Sequence, residues 1–222
     1  MRGESRASRS LSRPLIDAVF RLANGRKAFQ AYETVATSLG TVSVPLTLTF
    51  LTVFFAQGSL PSILVPEIDN LYGFLTLIAG LISSLAIHEL SHVITLANHG
   101  IKAEVLGISL SGVIGGYVKA DVPKEDYEKI KFPFFSCGVG ANLLVFLLAL
   151  AAGLAGVPQL VPFAAVSFWF MVINSIPAPL MDGGKIFEGL LESLRLERFS
   201  DHISALIITM WILVFTAKLI TL

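Results

Sequence analysis

The sequence predicts an all-α multi-pass membrane protein, with about five transmembrane helices, a short membrane-associated β-hairpin and an N-terminal amphipathic helix. Three observations predict it. Mean hydropathy is +0.76, and 54% of the 222 residues are apolar against 14% charged, too little charge to clothe a soluble domain of this length. No charged residue lies between Glu33 and Glu67, and none between Lys131 and Asp182, whereas a bilayer takes only about 20 helical residues to cross. The basic residues are also one-sided. The stretches 1–33, 98–132 and 181–202 hold fifteen of the sixteen Lys and Arg, while 57–70 and 155–162 hold none.

In chain order, residues 1–33 form a basic segment with seven Arg or Lys and three acids. It lacks the compact apolar core and small-residue cleavage site of a signal peptide. From Pro14 to Gly25 the pattern is helical: Leu15, Ile16, Val19, Phe20, Leu22 and Ala23 lie on one side and Asp17, Arg21 and Asn24 on the other. Proline suits a first helical turn and glycine an end, so this reads as a basic amphipathic helix on the membrane surface; for residues 1–12 a disordered tail is the alternative. Residues 34–222 are then one membrane domain. Its spans fall at 35–56 (Pro45 is tolerable in a membrane helix), 71–97, 133–154, 163–180 and 203–221, with the turn-like AGVPQLVP at 155–162 between the third and fourth. The second, third and fourth spans carry the polar residues and should form the core. There is no internal repeat, and the single cysteine, Cys137, excludes an intramolecular disulfide. The positive-inside rule places the N-terminus and the two larger basic loops in the cytoplasm and the C-terminus outside. Lys218, near the end of the last span, has a stem long enough to reach the interface.

The stretch IHELSHVI, residues 87–94, puts two imidazoles and a carboxylate inside the second span. On a helix advancing about 100° per residue, Ser84, His88, Ser91, His92 and Thr95 share one stripe, with Glu89 about 100° from His88. Such a stripe faces protein or a water-filled cavity, not lipid. It lies roughly 13 Å from the cytoplasmic end of the span. His88-Glu89-x-x-His92 is an HExxH motif: two histidines one turn apart can aim ring nitrogens at one zinc ion, and the glutamate can reach the zinc's water. The competing reading is a chance match, with both histidines hydrogen-bonded in a core.

Zinc needs a third protein ligand and an open position. His99, at the helix end beside Gly100, and His202, in a charged loop, read as solvated residues. Asp182 is the better candidate. It closes the longest uncharged stretch, at the end where the HExxH helix also exits. Pro177 and Pro179 should stop the fourth helix early, and Gly183 and Gly184 permit unusual backbone conformations. Irregular backbone at that depth is tolerable only where it lines a cavity. Asp182 ahead of GGKIFEGLLESL would also serve as a helix N-cap.

HELSH in an apolar helix, followed by Asn174-x-x-Pro177-x-x-x-x-Asp182-Gly183, resembles the site-2 protease family of intramembrane zinc metalloproteases. The resemblance covers residues 71–190, the expected catalytic core, and matches both motifs without substitution. It implies one zinc ion held by His88, His92 and Asp182, with Glu89 as catalytic base and transmembrane proteins as substrates. SCGVGAN (136–142) resembles the family's A-G-P-x-x-N segment, with Val139 in place of proline. By that likeness Asn142, and Asn174 of the second motif, would contact substrate or the developing oxyanion; for Asn142 the alternative is a polar residue joining helices. Residues 106–123 resemble the family's membrane-dipping β segment: Leu106, Ile108 and Leu110 alternate with Gly107, Ser109 and Ser111, Gly112 offers a turn, and Gly115-Gly116-Tyr117 begins the return strand. That strand's edge would pair with an extended substrate; an ordinary hairpin packed on the helices is the competitor. The inserted peptide-binding and C-terminal nucleotide-sensing domains of many relatives find no room here, so a minimal core is expected. No nucleic-acid partner is expected, and the oligomeric state is not legible. Two other functions fit HExxH in a membrane: a protease for lipid-modified C-termini, and a zinc-binding protein or transporter without proteolytic activity.

Overall fold

The computed structural model describes residues 6–65, 70–109 and 115–221. In order it has α1 (Arg6–Ala23), α2 (Lys27–Gln57), α3 (Leu71–Asn98), the strands β1 (Val105–Ser109) and β2 (Gly115–Lys119), α4 (Lys124–Leu154), α5 (Val161–Asn174), α6 (Asp182–Glu192) and α7 (Ser200–Thr221). Single 3-10 turns precede α3, α5 and α7. Among the described residues, four stretches are long and apolar enough to cross a membrane: α2, α3, α4 and Glu197–Lys218. The expected fourth span is shorter than predicted. Its apolar helix runs over Pro158–Asn174 and stops short of residue 180, because Pro177 and Pro179 lack amide protons and disfavour helical backbone in the residues before them.

Other boundaries also move. α1 extends back to Arg6 with Pro14 inside it, and α4 begins at Lys124 with Pro133 inside. α3 starts at a proper cap, where Asn70 Oδ1 accepts from the Gly73 amide at 2.9 Å. α2 ends at Gly58, whose φ of 74° lets its amide turn back to the Phe54 carbonyl.

α4 is the centre of the bundle and packs against α2, α3, α5 and α6. Its approach to α2 depends on two glycines. A Cβ on Gly40 would run into the Ser136 carbonyl, and one on Gly140 into that of Ala36. Without a hydrophobic difference between lipid and side chain, helices in a membrane associate by such close contact of small residues. The main apolar cluster, including Val44, Val139, Leu143, Phe168, Met171 and Trp211, fills in around this contact. Gly140→Leu is therefore expected to lower the thermal unfolding midpoint in detergent, with a cost of about 1–3 kcal/mol or more for overpacking. Leu148→Ala, on the 62% exposed outer face of the same helix, should leave that midpoint unchanged. The outer faces of α3 (Leu71, Phe74, Leu75, Ile82) and α7 (Leu206, Met210, Ile212, Leu213) are exposed and apolar, a surface suited to hydrocarbon.

A second apolar cluster joins Ile16 of α1 to Val93 and Leu96 of α3, Ala103, and Ile130 of α4. The single apolar face expected for α1 is thus divided. Ile16 and Ala23 are buried against the protein, with Val19 packed alongside, while Leu15 and Leu22 point outward. Lys102 holds α1 from the side through Asp17, Nζ to Oδ1 at 2.7 Å, and this contact keeps the Asp17 carboxyl below the ordinary carboxylate range. α1 also packs on β1, and β2 lies against α3. The strands pair antiparallel, from Val105 opposite Lys119 to Ser109 opposite Gly115. Leu110, Ser111 and the turn expected at Gly112 lie outside the described residues.

Candidate metal centre

The stripe on α3 is buried as its periodicity requires. Ser84, His88, Ser91, His92 and Thr95 are each at most 4% exposed. The hydroxyls are all engaged. Ser84 Oγ meets Ser167 Oγ at 2.9 Å, Ser91 Oγ meets the Tyr32 hydroxyl at 2.6 Å, and Thr95 Oγ1 donates to the Ser91 carbonyl at 3.1 Å. The two imidazoles are thereby left as the groups of this face that look toward α6.

Asp182 opens α6, yet it does not cap it: the N-cap position is Met181, and no side chain caps the helix. The Asp182 carboxylate turns instead to the histidines. Oδ2 lies 3.0 Å from His88 Nε2 and 3.2 Å from His92 Nε2, and the two Nε2 atoms are 3.2 Å apart. Gly183 and Gly184 have a different purpose from the one expected. Neither has positive φ. Both sit in α6, where a Cβ would collide with the backbone of Ser175 and Ala178 respectively. Their bareness lets the irregular segment 175–181 fold tightly over the start of α6 and bring Asp182 to α3.

The donor set fits a metal ion on three counts. Four ligands held tetrahedrally at about 2.0–2.1 Å stand about 3.3 Å from one another, close to the separations seen. Asp182 Oδ2 is buried and accepts an aligned hydrogen bond from neither ring, despite its nearness to both. His92 Nδ1 lies 2.8 Å from the Phe134 carbonyl, which can only accept, so the proton sits on Nδ1 and the Nε2 lone pair faces the other two donors. Outer-shell bonds of this kind orient metal-binding imidazoles. Stacking on the Phe134 ring, at 4.5 Å between centroids, fixes the same plane. The buried group His88, His92 and Asp182 can hold a metal ion.

Gly138 of α4 is a further requirement. A Cβ there would stand 2.7 Å from His92 Nε2 and 3.0 Å from His88 Cε1, closer than side chains pack. Gly138→Ala is expected to lower zinc affinity about 10–100-fold, the usual scale for lost support around a metal site, as measured by competition with a chromophoric chelator; helical content should be unchanged.

Glu89 is 8% exposed. It shares a cavity of about 620 Å³ with both histidines, Asp182, Asn174, Phe134, Phe170, Leu180 and the β2 residues Gly115, Gly116 and Tyr117. Gly116 lies so close that a Cβ on it would overlap the Glu89 carboxylate. β2 therefore forms the wall opposite the acid. Asn174 lines the cavity, with Nδ2 donating to the Phe170 carbonyl at 3.0 Å. Asn142 is open to two readings in the sequence, a substrate or oxyanion contact and a polar residue joining helices. It is fully buried, lies outside the cavity lining, and has its amide 3.2 Å from His88 Nδ1.

His99 pairs with Glu33 Oε1 at 2.9 Å, His202 is exposed, and neither joins the group. Three contributors were missed by reading the sequence for function: the Phe134 carbonyl, the space left at Gly138, and the closeness of Gly116 to Glu89. Only Gly138 had a signal, as one of the glycines of SCGVGAN. No family model, curated protein or solved structure matches the chain.

Proposed function

We propose that the protein is an intramembrane zinc metalloprotease of the site-2 protease type, which hydrolyses peptide bonds in or near the transmembrane segments of membrane-anchored proteins. The observation that carries this reading is the sharing of one cavity by three things: a two-histidine, one-aspartate donor set, a buried glutamate, and an extended strand. A protein that only binds or carries metal has a use for the first and none for the other two.

His88, His92 and Asp182 would hold the ion, and two nitrogens with one carboxylate oxygen suit zinc with one position left open. When bound, zinc supplies Lewis acidity, polarising a carbonyl and lowering the pKa of water toward neutral. Glu89 takes the proton from water as the water oxygen bonds to the scissile carbonyl carbon. The same carboxyl then passes that proton to the nitrogen as the C–N bond breaks, leaving a carboxylic acid and an amine. Apolar walls from Phe134, Phe170 and Leu180 limit bulk water around these steps.

A transmembrane helix seals its own amide bonds, so a substrate must be drawn out into extended form before attack. The edge of β2 at Gly115, Gly116 and Tyr117, which line the cavity, would hold such a segment by main-chain hydrogen bonds. By the positive-inside rule the N-terminus and the cavity's opening would face the cytoplasm, and membrane-anchored regulators released by cleavage would be the fitting substrates. The test is a panel of single-span proteins incubated with the purified protein in lipid. Cleavage should occur in or beside the apolar segment, cease on zinc chelation and return with zinc. Zinc-independent cleavage, or none across the panel, contradicts the reading.

A further inference from the structure

We propose that Asn142 is a positioning residue for the metal site: its side-chain oxygen accepts the Nδ1 proton of His88 and so turns the Nε2 lone pair toward the ion. This rests on the zinc reading above, and it assigns Asn142 to the ligand and not to the substrate.

The argument starts from the two histidines' outer nitrogens. His92 has a fixed acceptor in the Phe134 carbonyl, 2.8 Å from Nδ1. At His88 the group that faces Nδ1, at 3.2 Å, is instead the Asn142 amide. Asn142 is fully buried, outside the lining of the catalytic cavity, and its Oδ1 is buried without a hydrogen-bond partner among the described residues.

As placed, Nδ2 donates to His88 Nδ1. That arrangement keeps the imidazole proton on Nε2, where Asp182 Oδ2 lies 3.0 Å away. A neutral ring that gives Nε2 to a metal carries its proton on Nδ1 and needs an acceptor beside it. A half-turn of the amide supplies one. It exchanges two groups of nearly equal shape, brings the orphaned Oδ1 to Nδ1, and requires no backbone movement. Asn142 can serve either tautomer of His88, and the orientation of its amide follows which one is present. A carbonyl, as at His92, could serve only one.

The substitutions that test this are Asn142→Asp and Asn142→Leu, read by zinc affinity in chelator competition and by the spectrum of the cobalt-substituted protein. Aspartate keeps an acceptor at Nδ1, so N142D should bind zinc within about threefold of wild type or more tightly. Leucine keeps the volume and removes the acceptor, so N142L should bind about 10–100-fold more weakly, with a shifted cobalt spectrum. If the Leu variant does not fold, Asn142→Ala takes its place with the same expectation. Wild-type affinity in N142L or N142A overturns the proposal. So does a folded N142D that loses zinc, or one that keeps zinc at wild-type affinity alongside an unaffected N142L while losing only activity, the signature of a substrate contact. Wild-type protein that binds no zinc would instead refute the zinc reading itself, an outcome separate from these.

Discussion

Glu89→Gln is expected to leave zinc bound at wild-type stoichiometry and to reduce kcat by about 10²–10⁴-fold, the usual contribution of a positioned general acid–base. The geometry separates the two effects. The three donors that can hold a metal are His88, His92 and Asp182, and Glu89 lies outside that group, on the cavity wall against Gly116. Glutamine has the same size, so it keeps the contact with β2 and leaves the cavity's shape intact. What it lacks is a basic oxygen to take the proton from water and an acid to return it to the leaving amine. Metal analysis and product formation, measured on the same preparation, check both halves. Loss of zinc together with activity would make Glu89 a structural residue. Unchanged product formation would remove Glu89 as the base, whereas bound zinc with no product from either protein would favour a metal binder or transporter, which has no need of a base at this position.

Asp182→Ala should do the reverse and remove the ion, with cleavage falling to background. Two histidines one turn apart remain, and two ligands hold zinc far less firmly than three. The fold should persist. Asp182 caps no helix through its side chain, and the close backbone contacts of this segment come from Gly183 and Gly184. Zinc content below stoichiometry, with helical content retained, is the expected pair of readings. Retained zinc and activity would favour a different third ligand, as in a protease for lipid-modified C-termini.

The parts of the site legible in the sequence are those with a local period or a local break. The stripe on α3 follows from the helical repeat, so the inward placement of His88 and His92 could be read directly. The end of α5 near Asn174 follows from Pro177 and Pro179, and Asp182 stood out as the charge ending an uncharged run. What could not be read is where helices approach each other. Gly140 and Gly40 matter for what lies across from them, and a glycine in an apolar run carries no mark of its neighbour; Gly138 stood out in SCGVGAN, but not as the room for two imidazoles. Asn142 had two sequence readings, substrate contact or polar link between helices; its place behind His88 depends on the rotation of α4 against α3. α1 read as one apolar face because its pattern does not tell lipid from protein, yet Ile16 and Ala23 face protein and Leu15 and Leu22 do not. Gly183 and Gly184 were read as backbone freedom and turned out to be room for close contact.

The most direct test of the central claim is the position and chemistry of the cut. A single-span protein incubated with the zinc-loaded protein in lipid vesicles, in water enriched in oxygen-18, would give products whose masses locate any broken bond. A new C-terminus within or beside the apolar segment, carrying one solvent oxygen from the cleavage step and absent when Glu89 is glutamine, is the result expected of a buried hydrolytic site. Intact substrate beside a fully zinc-loaded protein would contradict the account, as would cuts confined to loops far from the membrane.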